Sequence, residues 1–172
     1  IKSEIGGEIT QEMDYYQCLA IGINRYHFLS PQKDADEDAR DLYTFFAQEA
    51  GINPQHLRLL SDTSPLIDNK SSYPNQDNLL FWLFSQFPSQ KIVQSVTTPL
   101  WLFFRGYGFT YQGEDYLLPI DGNPQDLPRT ALSVRSIIDS IQAHTRQPLL
   151  LILDLMPVVV GMPVGQHTIV LG

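Results

Sequence analysis

Few residues in this chain are of a type that does covalent chemistry: one cysteine, Cys18, and four histidines, His27, His56, His144 and His167. Acyl transfer through a thiol needs a thiolate beside a base that takes its proton near neutral pH. Cys18 lies inside the apolar run "YYQCLAIGIN" (15–24), where it reads as a small buried residue rather than a reactive thiol. His27 follows that run and could approach Tyr107, although a lone loop histidine is more often a solvated surface residue. His56, His144 and His167 fall at element ends with no nucleophile pattern around them, and Ser133 and Ser136 sit on a helical stretch with no evident base. The acids Asp34, Asp36, Glu37, Asp38 and Asp41 lack the looped alternation and central glycine of a calcium loop, and read as a solvated helix start. No metal-ligand spacing of His or Cys occurs, and no glycine-rich phosphate loop follows a strand, so neither metal nor cofactor is expected. One further stretch, "FFRGYGF" (103–109), closes an apolar run with a tyrosine between two glycines, and a phenol titrating near about pH 10 is a poor base.

The elements that must position these residues follow from periodicity. Apolar runs at 15–24, 56–62, 98–104, 148–154 and 167–172 have strand length, and the first and third suit strands buried on both faces. "DADEDARDLYTFFAQEAG" (34–51) has acids at its front, Leu42, Phe45, Phe46 and Ala50 at helical spacing, and Gly51 as a stop. Residues 76–87 repeat the helical pattern with Asp77 as a cap, and Phe81, Trp82, Phe84 and Phe87 form a core-facing aromatic stripe. Residues 64–76 read as a loop, and 111–122 as a short extended pair about a Gly turn. Residues 131–144 form a helix with Leu132, Val134, Ile137, Ile138 and Ile141 inward. Strands alternating with helices predict an α/β fold with a mostly parallel sheet and helices on both faces. Ligands bind such sheets beyond the carboxyl ends of the strands, here 24–27, 105–109 and 154–157.

Bulk properties narrow the partners. With 172 residues and 43% apolar composition the chain is sized for one domain, read as 15–172 after a lead-in segment at 1–14. Nineteen acids against eleven bases, a net charge of −8, oppose binding to nucleic acid or an anionic membrane surface. No apolar stretch reaches the length of a transmembrane helix. A lone cysteine forms no internal disulfide and suits a reducing cytoplasm. The start at Ile1 rather than Met and the stop at "TIVLG" read as a fragment of something longer.

The order "AIGINRY", acidic helix start, "LWLFFRGYG", "GEDYLLPID", "RTALSVRSII" and "LLLILD" resembles the large-subunit region of caspase-like cysteine peptidases, and in particular the bacterial metacaspase-like members, the orthocaspases. The resemblance implies a caspase-like three-layer sandwich over about 15–172, ending before the small-subunit region that completes the sheet in that family. Family members end the two site strands in Ser-Gly-His-Gly and Asp-Ala-Cys-His-Ser-Gly. Here Tyr107 stands at the histidine and Met156 at the cysteine, so no catalytic residue of the dyad is intact. A thioether has no proton to lose, and a phenol supplies no imidazolium to stabilise a thiolate. The resemblance also implies oxyanion-hole backbone donors at Gly108 and Met156, with Pro157 removing the next N–H, and a basic-residue pocket formed by Asp38 and Asp154. Read apart from the family, Asp38 is a first-turn acid favouring the helix dipole and Asp154 a strand-end residue. The reading is a pseudoenzyme acting as a binding, scaffolding or regulatory module for a protein or peptide partner, an active homologue or a basic segment. Its alternatives are a peptidase with altered catalytic residues cleaving after Arg or Lys, and a structural domain with an idle pocket.

Overall fold

Continuous apolar sequence in the first and third runs places those two side by side at the centre of one sheet, and the fourth run pairs with the third on its other edge. The computed structural model describes residues 16–87 and 98–158. Six strands form a mixed sheet: β1 (Gln17–Gly22), β2 (Leu57–Ser61), β3 (Leu100–Tyr111), β4 (Glu114–Leu117), β5 (Leu132–Ser133) and β6 (Leu149–Pro157). β1 pairs in parallel with β2 and β3, and β3 pairs in parallel with β6; β4 returns antiparallel to β3 and carries β5. Every residue of β1 is buried, as a strand with neighbours on both edges and cover on both faces requires.

Alternation along the strands divides the core in two. On one face Cys18, Ala20, Leu57 and Leu59 pack with Ala39 of α1 (Ala35–Thr44) and with Phe46. On the other, Leu19, Ile21, Leu100, Leu102 and Phe104 pack with Leu79 of α2 (Gln76–Leu80), with Trp82 and Leu83 just beyond it, and, past the short α3 (Leu127–Thr130), with Ile137 and Ile141 of α4 (Val134–His144). The molecule is therefore a mixed α/β structure with helices against both faces of its sheet.

Several boundaries differ from the sequence reading for identifiable reasons. α1 continues as a π-helical turn, Phe45–Glu49, in which the Ala50 N–H reaches the Phe45 carbonyl at 2.9 Å. This wider winding turns Phe45 outward, 48% exposed, while Phe46 stays buried edge-on to Trp101. The cap of α2 is Asn75, whose side chain accepts the Asn78 N–H at 2.9 Å, and Asp77 lies in the first turn instead. Trp82 and Phe87 are buried and Phe81 and Phe84 half-buried against the same core, as the aromatic stripe predicts. α4 starts at Val134 rather than 131, because Leu132 and Ser133 pair with β4; the Ser133 hydroxyl then caps the helix by accepting the Ser136 N–H. β3 does not end at Phe104 but runs to Tyr111, and β6 runs to Pro157. A two-residue turn with positive φ at Gln112 and Gly113 then reverses the chain into β4, the backbone twist that tight hairpins favour. The lead-in, the strand expected at 167–172 and His167 lie outside the described residues. Among the described residues no helix is long and apolar enough to cross a membrane.

Candidate functional site

The Gly-Tyr-Gly step is a packing device. Ile23 N–H bonds the Arg105 carbonyl at 3.1 Å, extending the β1 ladder, and Leu118 N–H bonds the Tyr107 carbonyl at 2.9 Å where β4 takes over. Between them the Tyr107 N–H has no strand to meet, and the phenol oxygen of Tyr26 accepts it at 2.8 Å. Gly106 leaves room for that phenol: a Cβ there would stand 2.3 Å from the Tyr26 oxygen. A Cβ at Gly108 would stand 2.8 Å from Leu155 Cδ1 and 3.0 Å from the Tyr116 carbonyl oxygen. The Tyr107 ring meets Tyr26 edge-on at 4.9 Å, and its own hydroxyl donates to the Ser30 carbonyl at 3.2 Å. Replacing Tyr26 with Phe leaves the Tyr107 N–H without its acceptor, and a loss of about 1–2 kcal/mol in unfolding free energy, read from urea denaturation, is expected.

The parallel register sets Tyr107 directly opposite Met156 and Arg105 directly opposite Asp154. These positions line a cleft of about 400 Å³ together with Lys33 and Asp34 from the loop that enters α1. The Met156 side chain is exposed and has no proton to give. In a parallel strand the N–H and C=O of one residue point to the same side. Gly108 C=O accepts the Val158 N–H at 3.0 Å, so the Gly108 N–H also faces β6, and the Met156 N–H, in phase with Val158, faces β3. Both backbone donors thus point between strands rather than into the cleft.

The other nucleophile and base candidates lie elsewhere. Cys18 pairs with Trp101, about 20 Å back along β3 from Tyr107 at the usual strand rise. Burial pushes its thiol up to about 12. His27 is exposed, with Nε2 3.4 Å from the Tyr73 hydroxyl rather than at Tyr107.

Asp38 and Asp154 do converge, and they do so on Arg105. Its Nη1 pairs with Asp38 and its Nε lies 3.4 Å from Asp154 Oδ2. The start of α1 is fixed for this by Asn24, whose Oδ1 accepts the Asp36 N–H at 3.1 Å, and by Asp62, which accepts the N–H groups of Asn24 and Arg25. The acid run is therefore not uniformly solvated. Asp36 is 8% exposed and accepts from Thr63 Oγ1 at 2.6 Å and from Arg40 at 3.0 Å. Burial alone would raise its carboxyl, but the hydroxyls of Thr63 and Ser61 and the Arg40 guanidinium outweigh that and hold it below its ordinary value. Among these acids Asp34, Glu37 and Asp41 are exposed. Tyr26 and Arg105 are the site residues that sequence reasoning missed. A usable signal existed for Arg105, which precedes Tyr107 by the same offset as Asp154 precedes Met156, so any register pairing the latter positions pairs the former.

Compared with known proteins, the chain matches no family model, and no curated protein matches it significantly.

Proposed function

We propose that this chain is a caspase-like domain of the three-layer-sandwich type that has lost its catalytic dyad and works as a non-catalytic binding, scaffolding or regulatory module. Its partner is a protein or peptide, an active homologue of the same architecture being the leading candidate. The observation that carries the reading is the unbroken β3–β6 pairing through Tyr107↔Met156 and Gly108↔Pro157. In the resemblance these positions hold base, nucleophile and oxyanion donors. Here the phenol donates to Ser30, the thioether is inert, and the backbone donors are directed into the sheet. The mixed α/β topology and the cleft at the carboxyl edge of the parallel strands are compatible with the same reading.

The test measures hydrolysis of fluorogenic peptides ending in Arg or Lys. The wild type is expected to match the uncatalysed rate, with Tyr107→Phe and Met156→Ala unchanged from it. Turnover by the wild type that either substitution removes would overturn the proposal. Restoring the dyad as Tyr107→His/Met156→Cys together with Arg105→Ser is expected to raise hydrolysis by about 100-fold or more over background, the usual scale of a positioned acid–base group.

A further inference from the structure

We infer that Arg105 is the resident occupant of a cation site built by Asp38 and Asp154, so that the cleft of the native protein excludes arginine- and lysine-bearing ligands. The inference rests on the cleft being the module's binding site, and it fixes what that site cannot take. Three observations support it. First, the two carboxylates come from separate elements on opposite sides of one guanidinium: Asp154 from the neighbouring strand in register, Asp38 from the helix packed over that face. Each engages a different nitrogen, the forked recognition for which a planar guanidinium is suited and an ammonium is not. Second, the Arg105 side chain is 31% exposed and lines the cleft, so it occupies the volume in which an incoming side chain would meet these acids. Third, among the described residues the other ion-paired arginines, Arg25, Arg40, Arg129 and Arg135, each face a single carboxylate, so the two-acid arrangement is particular to Arg105.

A tethered side chain competes with free ligand as an intramolecular group at high effective concentration. An external arginine would have to break both pairs and leave a part-buried guanidinium without a partner. Removing the Arg105 side chain reverses the situation, because the two carboxylates then repel each other across a vacant space shaped for a guanidinium.

The experiment titrates agmatine, a small guanidinium ligand, into the intact protein by calorimetry at low salt, where charge pairing is least screened. Wild type, Arg105→Ala, and Arg105→Ala carrying Asp38→Asn and Asp154→Asn are compared, with Arg105→Ser run in parallel so that a folding defect in one variant does not decide the result. Agmatine is expected to bind Arg105→Ala at least about tenfold more tightly than wild type, and the added Asn substitutions are expected to abolish the gain. Equal affinity for wild type and Arg105→Ala would overturn the inference, as would folded Arg105→Ala and Arg105→Ser proteins that bind no agmatine. Wild-type turnover of the Arg- or Lys-ended peptides would defeat both this inference and the functional reading above, because a basic side chain would then enter the cleft, whereas failure of the agmatine result alone defeats the inference and leaves that reading intact.

Discussion

Gly22→Ala is expected to destabilise the protein by about 3 kcal/mol, at the upper end of what overpacking costs. Gly22 is the last residue of β1, and a Cβ there would stand 2.0 Å from the Ala35 carbonyl oxygen, 2.6 Å from its carbon and 2.8 Å from the Ala39 Cβ. The first two are backbone atoms of the opening turn of α1, so no rotamer change relieves the contact. The helix must lift from the sheet, and lifting it breaks the Asn24 bond to the Asp36 N–H and draws Asp38 away from Arg105. The substitution should therefore lower the urea midpoint and also expose the Arg105 guanidinium. A loss of unfolding free energy below about 1 kcal/mol, read from urea denaturation, would mean that the helix start has slack that the close approach at Gly22 denies.

Gly22 also shows what the sequence does and does not reveal. The run containing it was legible as a buried strand because unbroken apolar residues of strand length have few other uses, and the acids followed by Leu42 and Phe46 marked the helix over it. The ends of elements were less legible, since they depend on partners distant in the chain. "RGYGF" carries the glycines of a loop, yet it is strand, because Gly106 admits the phenol of Tyr26, which lies 81 positions before the Tyr107 whose N–H it accepts. The cap of α2 moved to Asn75 because Asn and Asp are equivalent in pattern and only the backbone decides which one reaches an N–H. The site divides in the same way. The resemblance pointed to Tyr107, Met156, Asp38 and Asp154; the strand register sets Tyr107 opposite Met156, while Asp38 and Asp154 meet only through Arg105. That the two acids would be occupied from within the chain follows only once β3 and β6 are aligned residue by residue.

Alkaline pH is expected to unfold the protein through Cys18 and Tyr26, with the steepest loss of stability above about pH 10. Burial raises the Cys18 thiol from its ordinary 9.0 to about 12, and burial also raises the Tyr26 phenol above its ordinary 10.0, against the lowering influence of its bond to Tyr107. Both folded-state values lie above the unfolded ones, so the folded chain keeps protons that the unfolded chain releases. The stability tied to Cys18 is therefore complete below about pH 9 and falls by about 1.4 kcal/mol per pH unit up to about pH 12. Tyr26 adds a second proton from about pH 10 upward, which roughly doubles the slope. Urea midpoints across this range in wild type, Cys18→Ala and Tyr26→Phe separate the two contributions. Cys18→Ala should flatten the decline between about pH 9 and 10, and Tyr26→Phe only the decline above it. General repulsion in a chain of net charge −8 also grows with pH, but it acts on all three proteins alike. A slope that neither substitution changes would assign the loss to that repulsion, and would mean that the end of β1 and the Tyr26 pocket admit enough water to let both groups ionise in place.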